Sequence, residues 1–518
     1  MKLQKLPGEW LLIGGLVLLK LLLHFFTNTN YELHRDAFLY LAEGDHLDFG
    51  YLSAPPSIAL FARLTTTVFG DSTFAVRLFP ALLGAASIIL IALIVKELGG
   101  KSRAIVLSCC AFIVSPAFLR SNTLFQPVSF DEFYWLLAAY FMVKLLKTGR
   151  PQFWVHLGIV FGMGFLNKYS IAVLAVAFAL SLLLTPLRRL FYSKYLLAGA
   201  AIGFLLILPN LLWQWSHRWP VVTHLAELRQ NQLVHVTVPD FLLAQLLMNF
   251  PVILVWGCGL LFLLFLKEGK PYRALGYTVL AVVLILLLLS GKPYYTLGIY
   301  PLLFAAGGFA LESYLRGRWR SLQWAVLAMM ILLTLPALPY SLPVLPYDKM
   351  LVYAEQSKRY GFEGALRWED GRLHPLPQDY ADMIGWEELA KLAADAYHGL
   401  SAEEQARCAI YAENYGQAGA IKYHGKKYGL PEPLSFDDNF LLWAPDSLEN
   451  LLAFIYVNDE FGEDIQHFFA EVALAGQLRN PYAREYGLGV YLCKRPKPEF
   501  GEFYAHKVRR LKQRFRRE

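Results

Sequence analysis

Long apolar runs without charge constrain this chain more than any other feature. "LLGAASIILIALIV" and "AVVLILLLLS" contain no ionisable residue. About 20 apolar residues are enough to cross a bilayer as a helix. In lipid such a segment must satisfy its own backbone groups, which a helix does. Of 518 residues, 56% are hydrophobic and 17% charged. A soluble domain carries about a quarter charged residues, so these runs read as spans rather than core helices. They predict about eleven spans, near residues 10–26, 78–95, 104–119, 131–147, 153–167, 169–185, 195–212, 241–266, 274–290, 298–314 and 321–337. The opening "MKLQKLPGEWLLIGGLVLLKLLLHFF" has the basic end and apolar run of a secretory leader. Bulky "HFFTNTNYE" stands where a small-residue cleavage site would be needed, so the segment reads as a retained first span. Lys20 within it is expected to snorkel or to face other helices.

Basic residues orient the spans. "KELGGKSR", "KLLKTGR", "RRLFYSK", "KEGKPYR" and "RGRWR" each hold three Lys or Arg. All five lie between an even-numbered span and the next odd one, and Lys2 and Lys5 precede the first. The positive-inside rule puts these on the cytoplasmic side. The intervening loops, "YELHRDAFLYLAEGDHLDFGYLSAPP" among them, then face outward. An odd span count leaves the C-terminal part outside as well.

After the proline-rich "LPALPYSLPVLPYD" the character changes. Residues 1–347 read as a membrane domain and 348–518 as an extracytoplasmic α/β domain. "RCAIYAENYGQAGAIKYHGKKYGL" suggests strand, turn and helix, and "NLLAFIYVN" and "GLGVYLCK" suggest strands. Of the five cysteines, Cys109, Cys110 and Cys258 lie in apolar runs. Cys408 and Cys493 fall on predicted strands, where a pairing is conceivable but not required. The basic tail "HKVRRLKQRFRRE" has two readings: a solvated helix end, or contact with anionic headgroups.

Four clusters on the predicted outer face carry the chemistry. They are Arg35 and Asp36 in "HRDAF", Asp131 and Glu132 in "SFDEFYW", Lys168 and Tyr169 in "LNKYS", and Lys292, Tyr294 and Tyr295 in "GKPYY". A carboxylate at a membrane boundary can deprotonate a hydroxyl or hold a divalent metal. Lys and Arg can hold a phosphate, and tyrosines can donate to it. Together they suit an anionic lipid-linked substrate and a hydroxyl acceptor. Each has a plainer reading: Asp36 or Asp131 as a helix N-cap, the tyrosines as an interfacial belt. Lys168, in a turn between short spans, needs an anion or water to satisfy it. Pro55 and Pro56 precede "SIALFARLTTTVFG", an amphipathic helix suited to the interface. Nucleotide binding is disfavoured, since there is no Walker lysine motif and no strand-linked glycine fingerprint. Nothing points to nucleic acid.

In order along the chain, "HRDAFLYLAEGDHLDFGYLSAPPSIALFARL", "FGDSTFAVRLFPALLGA", "SFDEFYWLLAAY", "GMGFLNKYSIAVL", "LPNLLWQW" and "GKPYYTLGIYPLLFAAGGFALE" resemble bacterial members of the dolichyl-phosphate-mannose protein mannosyltransferase superfamily. These are the polyprenol-phosphate-sugar glycosyltransferases of the GT-C fold. The resemblance implies an inverting transferase in the bacterial inner membrane, with its site facing outward. The donor would be a polyprenyl-phosphate-linked sugar and the acceptor a lipid, glycan or protein hydroxyl. Asp36 matches the first-loop aspartate that acts as base, and Asp131 or Glu132 the second acidic motif. Arg35, Lys168, Tyr169, Lys292, Tyr294 and Tyr295 would bind substrate. Relatives often show His before the proline pair; Ala54 stands here. No nucleotide cofactor is implied, and a divalent metal is left open. The rival readings are a transporter or flippase for a lipid-linked glycan, and a non-catalytic scaffold of the same fold. The flippase leaves the outer-loop carboxylates unexplained and shows no inverted repeat; the presence of Asp36 argues against the scaffold.

Overall fold

The computed structural model describes residues 8–231, 237–460 and 462–515. Lys2, Lys5, the tail residues Arg516 and Arg517, and part of the stretch "QNQLVHVTVPD", expected to face outward, lie outside the described residues. The chain divides into two compact units that are not consecutive in sequence. The first holds residues 1–29, 74–211 and 225–344; the second holds 30–73, 212–224 and 345–518. The stretch that follows the first apolar helix therefore groups with the C-terminal part of the chain.

Unit 1 is helical. Each of the eleven apolar stretches falls on helix. Six described helices are long and apolar enough to cross a membrane, and seven if one bent pair is a single span. The other stretches depart from simple spans for local reasons. Helix Ser102–Val114 stops where Pro116 starts a new short helix. Helix Pro127–Thr148 carries the acidic pair and two lysines. Helices Phe153–Asn167 and Ile171–Leu183 are short. Val238–Leu247 and Phe250–Phe265 meet at 63°, where Pro251 removes a donor. Gly149, at φ 64°, ends the Pro127–Thr148 helix in the left-handed cap that glycine adopts without strain. Gly158 and Gly199 let two helices touch backbone to backbone: a Cβ on Gly158 would stand 2.0 Å from the Gly199 carbonyl oxygen. Lys20 does not snorkel. It is fully buried, donates to the Phe118 carbonyl at 3.0 Å and lies over the Phe112 ring.

Unit 2 is built on a four-stranded sheet in the order β1-β2-β4-β3: β1 Cys408–Ala412, β2 Ala453–Asn458, β3 Phe469–Gln477 and β4 Gly489–Pro496. β1 and β2 are parallel; the other pairs are antiparallel. Both predicted strand cysteines are free, because β2 lies between them: Cys408 pairs with Ala453 and Cys493 with Phe454. β1 leads into helix Tyr415–Gly425, capped by the Asn414 side chain. Against this helix packs the first-loop helix Arg35–Asp45, and Gly419 admits Phe38 so closely that a Cβ would sit 2.8 Å from the Phe38 Cβ. Glu32 accepts hydrogen bonds from the backbone amides of Gly385, Trp386 and Glu387. A carboxylate there satisfies the open amides and the positive end of helix Trp386–His398. Pro56 caps the predicted amphipathic helix, observed at Ser57–Val68, which exposes Leu60, Leu64 and Val68.

Candidate active site

Of the nine candidate residues, Arg35 and Asp36 belong to unit 2 and the other seven to unit 1.

Asp36 is not the N-cap of its helix. That position is His34, whose ring accepts from the Asp36 amide. The Asp36 carboxylate is therefore available for other work. Tyr415 donates its hydroxyl to Oδ1 at 2.8 Å, and the Arg35 guanidinium lies over the Tyr415 ring at 4.8 Å. His34 sits among three carboxylates, with Asp36, Asp379 and Asp382 at 3.8, 3.8 and 3.6 Å. Arg484 pairs with Asp382 at 3.3 Å. Burial pushes the Asp36 carboxyl up, but His34, Arg35 and the Tyr415 bond outweigh this and hold it below its usual value. Asp36 is thus ionised at neutral pH, and its side chain is 27% exposed. It can accept a proton from a group brought to it.

The same helix presents Tyr40 and Glu43 one and two turns further on. Glu43 is fully buried; its Oε1 accepts from Asn439 at 2.7 Å. Beside it runs the loop Asp437-Asp438-Asn439. Burial first, and Asp437 next among the groups that raise it, push Asp438 up to about 7 against a Ser53 hydrogen bond.

In unit 1 the adjacent acids point to different partners. Asp131 accepts from Trp135 Nε1 at 3.0 Å and from Ser170 Oγ at 2.7 Å, one bond to each oxygen. It is five residues into its helix, after the N-cap Gln126, so it is not a cap either. Glu132 accepts from Ser121 at 2.8 Å and is coupled electrostatically to the buried Lys20. Lys168 ends helix Phe153–Asn167. Its ammonium lies 5.1 Å from the Tyr294 ring centroid and 4.6 Å from that of Tyr295, within the field of Asp131, Glu132 and Lys292. The Asn167 side chain ties this turn to the start of the acidic helix through the Pro127 carbonyl. The structure thus gathers Asp131, Lys168, Tyr294, Tyr295 and Lys292. Tyr169 instead turns its hydroxyl to Asn210 at 3.1 Å.

Among the described residues no three His, Cys, Asp or Glu side chains are arranged to hold a metal ion. The donor set fits one poorly: both Asp131 oxygens accept hydrogen bonds, and Asp36 is surrounded by Arg35, His34 and Tyr415.

Sequence reasoning missed Tyr415, Asp379, Asp382 and Asp438. "ENYGQAGAIKYHG" was visible as a strand-turn-helix element. A residue opening the helix after a strand of an α/β sheet sits where ligands commonly bind, and that signal would have drawn attention to Tyr415. Ser170 and Trp135 carried no signal beyond nearness to the acidic motif.

Residues 53–213 match the family model for dolichyl-phosphate-mannose-protein mannosyltransferase. That stretch contains Asp131, Glu132, Lys168 and Tyr169; Asp36 precedes it. Over 216 residues the chain is 24% identical to the lipid A galacturonosyltransferase RgtD of Rhizobium johnstonii, covering 41% of this chain and 45% of that protein. The match thus spans less than half the length of that curated relative. ArnT from Cupriavidus metallidurans bound to undecaprenyl phosphate superposes with a TM-score of 0.60 at 14% identity, covering 93% of this chain and 97% of that one. Its apo state gives 0.56 over the same shares. The fold is accordingly the one seen in ArnT, a multi-pass helical domain with a small C-terminal sheet domain, and the family-model match over residues 53–213 agrees with the resemblance read from the motifs.

Proposed function

We propose that this chain is an integral membrane glycosyltransferase. It moves a sugar from a polyprenyl-phosphate-linked donor to an acceptor hydroxyl on the outer face of the bacterial inner membrane. The observation that carries the reading is the setting of Asp36: a partly exposed carboxylate that is not a helix cap, accepts from the Tyr415 hydroxyl and lies beside Arg35. The acceptor oxygen attacks the anomeric carbon as its proton passes to Asp36. The bond from that carbon to the phosphate oxygen breaks, and its electron pair leaves with the polyprenyl phosphate. One displacement inverts the anomeric centre. Lys168 and Lys292, flanked by Tyr294 and Tyr295, stabilise the charge on the departing phosphate. The donor is already activated, so no nucleotide is needed.

Undecaprenyl phosphate bound to ArnT supports a lipid-phosphate donor. The name of RgtD makes a lipid A-type glycolipid the first acceptor to try. Five basic loops, all between an even-numbered predicted span and the next odd one and so on one side, support an outward-facing unit 2. Reporter fusions after Glu518 test that orientation; cytoplasmic fluorescence without phosphatase activity overturns it. We read the reaction as independent of a divalent ion, given the hydrogen bonds already made by Asp36 and Asp131. Loss of turnover in chelator, restored by magnesium, would refute this.

The deciding experiment incubates purified protein with radiolabelled polyprenyl-phosphate sugar and separates the lipids by thin-layer chromatography. Donor consumption with release of polyprenyl phosphate is expected. Movement of intact donor between leaflets without cleavage would instead establish the flippase reading.

A further inference from the structure

The C-terminal helix Pro498–Lys512 buries one face and leaves the other strongly basic. Phe500, Tyr504, Val508 and Lys512 recur every four residues on the buried side. Lys512 is neutralised there, by Asp446 at 2.8 Å and by the Ala444 carbonyl. Arg509, Arg510 and Arg514 are exposed. None makes a side-chain hydrogen bond or ion pair among the described residues, whereas Arg407, Arg484 and Arg495 of the same unit all have acidic partners. A solvated helix would commonly pair some of this charge along its own surface. Here the nearest acids on the helix, Glu499 and Glu502, lie near its other end.

A second observation fixes where this charge sits. Helix Lys194–Ser216 is a candidate span, and its last residues from Leu212 are counted within unit 2. Just past its end, Arg218 donates to the Gln513 carbonyl at 3.2 Å. Trp215 and Trp219 flank that contact, 53% and 38% exposed. Tryptophans at a span end lie at headgroup level. The contact therefore holds the tail at the bilayer surface, where unpaired arginines meet phosphates rather than water alone.

We propose that Arg509, Arg510 and Arg514, positioned by Arg218, form a docking surface for anionic phospholipid headgroups at the outer end of the Lys194–Ser216 span. The outward placement rests on the orientation proposed above; the binding chemistry does not, and its test requires no sugar transfer. Full-length protein in nonionic detergent is titrated with dioctanoyl phosphatidylglycerol or dioctanoyl phosphatidylcholine, and retained lipid is counted by native mass spectrometry. Wild type should retain the anionic lipid preferentially, and less so as salt rises. The triple variant R509E/R510E/R514E should bind it at least about 10²-fold more weakly, at roughly fivefold per basic residue. These side chains are exposed, so the variant should melt like wild type without lipid. The triple lysine variant should keep most of the binding. Equal retention of both lipids by wild type, or undiminished phosphatidylglycerol binding by the glutamate variant, overturns the proposal.

Discussion

Asp36 and Asp131 are both aspartates that the motifs marked as catalytic, and they live in opposite kinds of place. Asp131 is 7% exposed, with each oxygen bound by a neighbour from unit 1, Trp135 or Ser170. Asp36 is 27% exposed at its side chain, and the groups that tune it come from both ends of the sequence. A carboxylate fixed on both oxygens can orient and balance charge. One that is ionised and reachable can take a proton. Under the proposed function, the first property suits an anchoring residue and the second suits a general base. Both acids of unit 1 feel Lys168, but their hydrogen bonds separate them: Asp131 is held by Trp135 and Ser170, and Glu132 by Ser121 beside Lys20.

The largest test of that division is Asp36→Asn. Asn keeps the shape and removes the proton-accepting charge. Single-turnover transfer should fall by at least roughly 10²-fold, the lower end for a general base, with donor binding nearly intact. Near wild-type turnover at saturating substrates would move the base to unit 1 and erase the contrast. Lys168→Met comes next. Loss of one charge-assisted contact should raise the donor KM about 10- to 100-fold, while the protein still accumulates. Unaltered donor saturation would remove Lys168 from the phosphate site.

Tyr415→Phe sharpens the comparison from the unit 2 side. The lost hydrogen bond should lower kcat about tenfold, the low end for a bond to a charged group. It should also move the acid limb of the pH–rate profile upward, because a carboxylate that loses a donor is protonated more easily. A lower kcat with an unmoved acid limb would reduce Tyr415 to a packing residue. Asp131→Asn against Glu132→Gln should separate the adjacent acids. The first should weaken donor binding several-fold; the second should leave kinetics near wild type and lower the melting temperature. The reverse pattern would exchange their roles.

The smallest effect concerns stability. Asp438 is pushed up to about 7, chiefly by burial. A carboxyl raised above its unfolded value contributes stability below that unfolded value and loses it as pH rises through about 7. Thermal unfolding should therefore come at lower temperature at pH 8 than at pH 6. Asp438→Asn should flatten the dependence without straining the backbone, because φ at this residue is +47° and Asn tolerates the left-handed region as Asp does. An unchanged pH slope in the variant would place the titration elsewhere.

Much of unit 1 was legible in the sequence because one physical rule, the absence of charge over a bilayer's depth, marks each span independently. The rule gave less where the pattern is broken by design of the site. Helix Pro127–Thr148 breaks it with Asp131 and Glu132, and the 63° bend breaks it at Pro251. Clustering of Lys168 with the "KPYY" tyrosines was expected and is observed. Unit 2 was harder. Its strands showed as β-rich runs, but nothing local says that Phe38 will pack against Gly419 or that Glu32 will cap the helix at Trp386. Those are contacts across more than three hundred residues, and no alternation or spacing encodes them. The part of the site that depends on them, Tyr415 with Asp379 and Asp382, stayed out of sight for the same reason.

That same separation sets a clock on biosynthesis. Asp36 and Tyr415 are 379 positions apart. At ~5–20 residues per second of synthesis, the first loop waits roughly 20–80 s for its partner. All the intervening spans must be inserted before the sheet that receives the loop exists. The nascent protein thus holds Asp36 without the hydroxyl bonded to it, and chains stopped before Tyr415 should transfer sugar at least about tenfold more slowly than the full chain. A chain stopped before Cys408 should leave the bond after Arg35 open to protease, and one extended through β4 should close it. Uniform protection at both lengths would show that the loop folds without waiting.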